Sequence, residues 1–230
     1  MGKKLALVFG GSRGIGAACV EALKAEGFDV ALTFNSNEKN NGYRADIQNP
    51  EDVKKAFDGV EKQHGRKVDC VVVAAGIGVP PGPVAQFDPA NLRKLVEVNI
   101  VGAFNVLREA GQRVADGGSI IAITTSMVRH AVPGFGPYAG TKAAVECMVR
   151  SMAKEIAPRK VRVNAVAPGP VDTDLFRAGK TDEAKQKSAA LSPFNRIGTP
   201  REVAEVVGFL ASDKASWVHG QIVQPNGGMI

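Results

Sequence analysis

Tyr138 and Lys142 are the two residues of this sequence whose types and spacing best suit proton transfer. They lie four residues apart near the start of a predicted helix, so they share one helix face. Moving a tyrosine pKa from about 10 to about 7 takes roughly 4 kcal/mol. A lysine charge about 4 Å away, at an effective dielectric near 20, supplies about that much. We therefore expect a proton donor suited to neutral pH.

A glycine-rich turn follows the apolar run Leu5–Phe9 and opens a helix predicted over 14–26. Glycines let a backbone approach a pyrophosphate closely, and the helix dipole favours its negative charge. The spacing is Gly-x3-Gly-x-Gly, which differs from the usual dinucleotide fingerprint. The residues predicted to bind the dinucleotide here are Gly10, Ser12, Arg13, Gly14, Ile15 and Gly16.

The charges near this turn favour NADP(H) over NAD(H). NAD-binding proteins place an acid at the end of the second strand, where it binds the ribose 2′-hydroxyl. Here Phe34 is followed by Asn35 and Ser36, with no carboxylate to repel a 2′-phosphate. Arg13 lies in the glycine turn, and a guanidinium can bind a phosphate through two hydrogen bonds. We expect Arg13, Asn35 and Ser36 to bind the 2′-phosphate.

The segment after the second strand is unusually short. Seven residues, 37–43, join that strand to a short strand predicted over 44–46. A parallel crossover usually needs a dozen or more residues, so a full helix does not fit there. Asp46 and Ile47 follow, and two readings of them stay open. Asp46 accepts a hydrogen bond from the adenine amine, or it belongs to an ordinary turn before the next helix.

Short apolar runs alternate with longer helical stretches along the whole chain. The predicted strands are 5–9, 30–34, 44–46, 68–74, 119–124, 161–166 and 221–223, and the predicted helices are 14–26, 50–64, 89–115, 137–157 and 200–212. Continuously apolar strands separated by helices predict a parallel sheet covered on both faces. We expect an α/β fold, a single doubly wound domain over residues 1–230.

Composition excludes several functional classes. Lys+Arg number 29 against 23 Asp+Glu, a net charge of +6, and the basic residues are scattered, so we expect neither nucleic-acid nor membrane binding. Three distant cysteines, Cys19, Cys70 and Cys147, fit a reducing compartment and not a disulfide framework. They form no metal-ligand cluster with the histidines, so no metal site is predicted. We expect a cytoplasmic protein.

The sequence resembles the short-chain dehydrogenase/reductase family along essentially its whole length. The matching motifs occur in the family's order: the glycine turn, Asp46-Ile47, Ala75-Gly76, Asn99-Ile-Val-Gly102, Tyr138/Lys142, Pro168-Gly169-Pro-Val-Asp-Thr173, and Gly220-Gln with Asn226-Gly-Gly228. The resemblance implies a Rossmann-type sheet and an oxidoreductase that transfers a hydride between NADP(H) and a carbonyl or secondary alcohol.

The resemblance also implies a role for each matched residue. Tyr138 protonates the carbonyl oxygen, and Lys142 binds the nicotinamide ribose and lowers the tyrosine pKa. Asn99 holds a water molecule in a proton relay. The remaining matched residues line the cofactor floor or position the carboxamide, and these are Ala75, Gly76, Pro168, Gly169, Val171 and Thr173.

The last catalytic position has two candidates. The family has a serine thirteen residues before the tyrosine, and here Thr125 occupies that place. Ser126 is adjacent, and a shift of one residue in the loop would give it the role. Neighbouring strand residues point to opposite faces, so only one of the two side chains should reach the substrate. We favour Thr125.

The substrate and the assembly are less closely defined. Residues 174–200 mix apolar and basic side chains and match the family's substrate lid. A small-molecule aldehyde or ketone is the expected substrate, with a 3-oxoacyl-thioester reductase as the alternative and an NADPH-sensing binding protein as the alternative of another class. The strand that follows Trp217 resembles the family's tetramer-forming edge, so a homotetramer is expected, with a dimer second.

Overall fold

The computed structural model describes residues 2–36 and 42–230. Seven parallel strands form one sheet in the order β3-β2-β1-β4-β5-β6-β7. The strands are β1 (Leu5–Phe9), β2 (Asp29–Phe34), β3 (Tyr43–Arg44), β4 (Cys70–Val73), β5 (Ser119–Ile123), β6 (Arg162–Val166) and β7 (Ile222–Val223). The predicted doubly wound α/β fold is confirmed, and the chain order reverses between β1 and β4.

Helices cover both faces of this sheet. They are α1 (Gly14–Ala25), α2 (Pro50–His64), α3 (Pro89–Leu95), α4 (Ala103–Arg113), α5 (Gly136–Glu155), α6 (Asp174–Arg177), α7 (Asp182–Ala189) and α8 (Pro200–Ala211). The wholly apolar sequence of β1 is explained by its contacts on both faces of the sheet. Leu5, Leu7 and Phe9 pack with α2, α4 and α5, whereas Ala6 and Val8 pack with α1 and α8. A strand buried on both faces has no polar side.

The prediction of one regular α-helix over 89–115 is wrong for the middle of this range. Helices α3 and α4 are joined by a π-helical segment, Val96–Gly102, which runs on from one to the other. The wider turn buries Asn99, which is 1% exposed, and sets Gly102 against Ile47, where a Cβ would lie 2.7 Å from the isoleucine side chain. Helical periodicity does not reveal such a segment, because one wider turn shifts the apolar positions by about one residue only.

The two ends of the connection between β2 and β3 lie close to their predicted positions. Strand β2 ends at Phe34 and β3 begins at Tyr43, and the two strands are parallel, with Thr33 paired to Tyr43. The predicted absence of a full helix concerns residues 37–43, and 37–41 of these lie outside the described residues. Strand β3 ends before Ala45, so Asp46 lies in the turn that precedes α2 and not in the strand.

Side chains cap the first turn of five helices, but not of α1, α4 or α5. The caps of α2, α3, α6, α7 and α8 are Asn49, Asp88, Thr173, Thr181 and Thr199. At the start of α1, Arg13 holds the cap position without a side-chain hydrogen bond, and no acidic residue lies in the first turn. The amide groups at this helix end therefore receive no side-chain acceptor of that kind.

Arg162 joins the sheet to α8. Its guanidinium donates to the carbonyl oxygens of Leu210, Ala211 and Ser212, the last at 3.1 Å. These oxygens lie at the carboxyl end of α8, where helix carbonyls lack intrahelical partners. Helix α8 packs on α1, which follows the glycine turn. The hydrogen bonds of Arg162 thus help to hold the helix layer that supports this turn.

Replacing Arg162 with Met should lower the free energy of unfolding by about 2–3 kcal/mol, because half-buried carbonyl oxygens would lose a charged donor. Urea denaturation followed by circular dichroism measures this change. Arg201→Met is the matched control, since Arg201 pairs with the exposed Glu205 on the helix surface, and it should change stability by about 0.5 kcal/mol or less. Equal losses in the two variants would contradict this role of Arg162.

Candidate active site

Tyr138 and Lys142 lie in the first two turns of α5, beside the carboxyl end of β5. Lys142 is 7% exposed, and its ammonium donates to the carbonyl oxygen of Ile123, the last residue of β5, at 3.0 Å. Tyr138 is half-buried. Both groups therefore lie at the carboxyl ends of the strands, where parallel α/β proteins bind their ligands.

Burial governs the ionisation of both residues. It raises the pKa of Tyr138 to about 12 and lowers the pKa of Lys142 to about 8. The pKa of Tyr138 is therefore not shifted towards neutral pH as expected, and the lowering of this pKa by Lys142 stays a prediction. The reason is that the loss of hydration disfavours both charged forms, and the lysine ammonium is bonded to the Ile123 carbonyl.

Asn99 links the loop after β4 to α5. Its Oδ1 accepts from the Ile77 amide at 2.9 Å, while its Nδ2 donates to the Ile77 carbonyl at 3.0 Å and to Thr141 Oγ1 at 3.2 Å. Thr141 in turn donates to the Tyr138 carbonyl at 2.7 Å. Both ends of the Asn99 amide are thus used in holding the loop against α5, and its predicted role in a water relay stays a prediction.

Ala75 and Gly76 lie between the glycine turn and the Tyr138/Lys142 helix. A Cβ on Gly76 would lie 3.2 Å from both Asn99 Oδ1 and Lys142 Nζ. A Cβ on Gly10, whose φ is +80°, would lie 2.7 Å from the backbone of Ala75. The structure therefore brings together four of the sequence motifs at the point where the chain order reverses.

The glycine turn is compact because it has no side chains at its contact points. A Cβ on Gly16 would lie 2.1 Å from the Gly10 carbonyl oxygen. The amide of Gly10 donates to Thr33 Oγ1 at 3.2 Å. The sequence analysis missed Thr33, which is buried inside β2. A lone hydroxyl in the apolar run Val-Ala-Leu-Thr-Phe was the available signal.

Thr125 and Ser126 use their hydroxyl groups differently. Ser126 is 1% exposed, and its Oγ donates to the Ala167 carbonyl at 2.7 Å. Thr125 Oγ1 accepts from the Met127 amide at 3.3 Å and caps the short turn 126–128. The hydroxyl hydrogen of Ser126 is therefore donated to the residue that follows β6. In the Thr125 contact the hydroxyl oxygen is the acceptor, so the threonine hydrogen can still be donated.

The segment 168–173 runs from β6 towards the glycine turn. Pro168 accepts from the Ser126 amide at 2.9 Å, and a Cβ on Gly14 would lie 3.5 Å from Thr173. Gly169 packs closely against Asn226. The side chain of Val171 is buried in the core, and its role in positioning the carboxamide stays a prediction. Only its backbone is available to a ligand.

Arg13, Asn35 and Ser36, the predicted phosphate ligands, are exposed. Asp46 accepts from the Gln48 amide at 3.0 Å, as expected for the turn reading. Ile47 is buried against the π-helical segment, so its side chain does not face a ligand. Adenine binding by the Asp46 turn stays a prediction.

Lys142→Met is expected to raise the free energy of unfolding at pH 7 by about 1–2 kcal/mol. The pKa shift of the buried ammonium, to about 8, corresponds to a destabilisation of roughly 3 kcal/mol. The variant removes that cost and loses one hydrogen bond of about 1 kcal/mol. Between pH 8 and 10.5 the unfolded lysine binds more protons than the folded one, so wild-type stability rises and the difference shrinks.

Urea denaturation at pH 7 and pH 10 measures this difference. The matched control is Lys154→Met, which replaces an exposed lysine in the last turn of the same helix and should change stability little at either pH. A Lys142→Met protein that is less stable than wild type at pH 7 would contradict the prediction.

Comparison with known proteins places this geometry in a family. The model of a family described as enoyl-(acyl carrier protein) reductase matches residues 10–230. An NADPH-dependent aldehyde reductase-like protein of Arabidopsis thaliana is 37% identical, covering 99% of this chain and 94% of the relative. The 3-oxoacyl-[acyl-carrier-protein] reductase MabA of Mycobacterium tuberculosis is 36% identical, covering 97% of this chain and 91% of the relative.

Solved structures agree with these relatives. A short-chain dehydrogenase of Burkholderia cenocepacia, determined in complex with NADP, superposes with a TM-score of 0.90 at 28% identity, covering 98% of this chain and 97% of the other. The predicted resemblance and the oxidoreductase class that it implies are confirmed. The chain belongs to the short-chain dehydrogenase/reductase family.

Proposed function

We propose that this protein is an NADPH-dependent carbonyl reductase that converts a small aldehyde or ketone into an alcohol. The observation that carries the proposal is the close packing of Gly76 against Asn99 and Lys142, since a Cβ on Gly76 would lie 3.2 Å from a polar atom of each. This contact lies beside the glycine turn and near Tyr138. This arrangement offers a flat floor for a cofactor ring and a proton donor at its edge.

The residues present fit a dinucleotide. The cradle around Gly10 and Gly16 has no room for a Cβ, and its amides lie at the start of α1, where no side chain caps the helix. A pyrophosphate would be held there, with its charge favoured by the helix dipole. Arg13, Asn35 and Ser36 would bind the 2′-phosphate, while Ala75, Gly76 and the backbone of 168–173 would hold the nicotinamide end. When bound, NADPH supplies the hydride.

The printed names of relatives and neighbours support NADP(H) as the preferred cofactor. The Arabidopsis relative is named NADPH-dependent, and the Burkholderia structure contains NADP. The chain supports the same preference through its own residues, because Arg13 is exposed at the glycine turn and Asn35 carries no charge that would repel a phosphate.

Tyr138 acts as the proton donor in this proposal. With a pKa near 12 its phenol is protonated at neutral pH, so it can protonate the carbonyl oxygen as the alcohol forms. Lys142 binds the nicotinamide ribose and bears a positive charge that stabilises the phenolate left behind. The high phenol pKa favours reduction over alcohol oxidation near pH 7, because oxidation needs the phenolate.

Thr125 supplies the second hydrogen bond to the carbonyl oxygen. Its hydroxyl hydrogen is free of the Met127 contact, in which the threonine oxygen is the acceptor. Ser126 is the weaker candidate because its hydroxyl hydrogen is donated to Ala167. Asn99 would position the loop after β4. It would also hold a water molecule in the relay that returns a proton to Tyr138.

The substrate enters beneath the segment 174–200, which we propose to be a lid. Its side chains Leu175, Leu191 and Phe194 are exposed, and a Cβ on Gly78 would lie 3.5 Å from Leu175, so the segment reaches the loop after β4. An apolar underside suits an apolar carbonyl compound. The similarity to MabA supports the second candidate, a 3-oxoacyl-thioester reductase.

The assembly and the location remain parts of the proposal. Trp217 is 98% exposed near the edge strand β7, which supports a homotetramer, with a dimer second. No described helix is long and apolar enough to cross a membrane. We propose a cytoplasmic location, although the Arabidopsis relative is named chloroplastic. An NADPH-sensing protein is disfavoured because Tyr138 and Lys142 are both in place.

Tyr138→Phe should bind NADPH as the wild type does but lose turnover, with kcat lower by about 100-fold or more, because the proton donor is gone. Fluorescence titration gives the Kd, and absorbance at the nicotinamide band gives kcat with a panel of aldehydes and ketones. Tyr43→Phe is the matched control, because Tyr43 lies on the edge strand β3 and bonds Gln63 of α2.

Full turnover by Tyr138→Phe would overturn the proposed mechanism. In the same assay Thr125→Val should lower kcat, whereas Ser126→Ala should retain NADPH turnover; the reverse order would assign the role to Ser126. Turnover with acyl thioesters alone would establish the second candidate, and NADPH binding without turnover of either panel would favour the sensor.

Arg13→Ala should weaken NADPH binding by about tenfold or more and leave NADH binding nearly unchanged, because a charged hydrogen bond to the 2′-phosphate is lost. Titration of each cofactor gives the two Kd values. Lys24→Ala removes one positive charge from the last turn of the same helix and should affect neither cofactor. Equal weakening of NADPH and NADH by Arg13→Ala would refute its assignment to the phosphate.

A further inference from the structure

Glu146 is a buried carboxylate that the proposed reaction does not use. It lies on α5 one helical turn beyond Lys142 and is 4% exposed. Its Oε1 accepts from Thr124 Oγ1 at 3.0 Å, and its Oε2 lies 3.9 Å from the half-exposed Arg150. Burial raises the pKa of Glu146, and the Thr124 hydrogen bond and nearby arginine charges oppose this rise. Burying such a group is unfavourable unless it is well bonded.

Thr124 directly precedes Thr125, so the contact made by Glu146 reaches the neighbour of the proposed substrate-binding hydroxyl. On the β6 side, the Thr124 amide donates to Val166 at 2.8 Å and the Ser126 amide donates to Pro168 at 2.9 Å. These bonds tie the backbone before and after Thr125 to β6, and α5 packs against the turn 126–128 that follows.

Helix α5 holds the same strand end through two side chains. Lys142 donates to the Ile123 carbonyl at 3.0 Å, and Glu146 accepts from the Thr124 hydroxyl. The Lys142 ammonium is also the group proposed to bind the cofactor ribose, so its contact with Ile123 is exchangeable. Glu146 has no such second task. Its contact is the one that can persist through the reaction.

We propose that Glu146, acting through Thr124, is a positioning residue that sets the Thr125 hydroxyl relative to the Tyr138 phenol. The inference rests on the proposed reductase function. Tyr138 is carried by α5 and Thr125 follows β5, so the two groups reach one carbonyl oxygen only if the helix and the strand end keep a fixed offset. A displacement of about 1 Å in such a site lowers rates by up to about 100-fold.

The kinetic test compares single and double variants of this contact. Glu146→Met and Thr124→Val should each lower kcat for carbonyl reduction by about tenfold, a moderate share of the loss that misplacement can produce, with the Kd for NADPH unchanged. The double variant should lose little more than either single variant, because the contact with Glu146 at 3.0 Å is the shorter of the two that the Thr124 hydroxyl makes, the other being to the Val166 carbonyl at 3.4 Å. Glu146→Gln and Thr124→Ser keep an acceptor and a donor and should restore most of kcat.

The matched control is a second glutamate on α5. Glu155, the last residue of α5, accepts from Ser151 Oγ at 2.6 Å on the exposed surface. Glu155→Met should leave kcat and the NADPH Kd at wild-type values. If Glu146→Met lowers the melting temperature but leaves kcat unchanged, or if the losses of the two single variants multiply in the double variant, Glu146 has only a structural role and the proposal is overturned.

Hydrogen–deuterium exchange separates this proposal from the reductase function. Glu146→Met and Thr124→Val should speed exchange in a peptide covering 123–128, whereas Glu146→Gln should not. Unchanged exchange in that peptide would overturn the anchoring of the strand end by Glu146. Faster exchange together with no carbonyl turnover by the wild type would establish the anchor and overturn the reductase function instead.

Discussion

The whole site depends on one buried ammonium group. Lys142 is kept from water at the end of β5, where the Ile123 carbonyl accepts its hydrogen bond. A charge in such a place is unfavourable unless polar groups surround it. The end of β5 supplies the carbonyl acceptor, while the loop after β4 with Gly76 and the π-helical segment with Asn99 pack close by, so that a Cβ on Gly76 would lie 3.2 Å from both Lys142 Nζ and Asn99 Oδ1. The surrounding fold can be understood as the means of assembling them.

The π-helical segment brings the Asn99 side chain to the loop after β4. A regular helix from Pro89 to Arg113 would carry its polar side chains at a fixed angular spacing, and the extra residue per turn changes that spacing once. As a result Asn99 is buried and bonds both backbone groups of Ile77, while α3 and α4 continue on either side. Segments of this kind are frequently found at functional sites because they re-aim a side chain without ending the helix.

The sequence was sufficient for the sheet, its parallel direction, the glycine turn and the Tyr138/Lys142 pair, because each has a strong local pattern. It did not reveal contacts between distant stretches. Thr33, Thr141 and Glu146 are ordinary residues in a strand or a helix, and only the packing of β2, α5 and β5 gives them partners. The pKa of Tyr138 also escaped prediction, since an estimate from charge alone omits the effect of burial.

The missing cap of α1 has a consequence for the protein's lifetime. Five helices begin with a side-chain acceptor of their own, whereas α1, like α4 and α5, has none and begins at an exposed arginine. If a phosphate supplies what the chain omits, folding and nucleotide supply are linked, and a ligand present at about 100 times its Kd adds about 2.7 kcal/mol to stability. A protein without its nucleotide would then unfold more readily than the bound one, and because oxidised and reduced forms share the phosphates, either form would protect it.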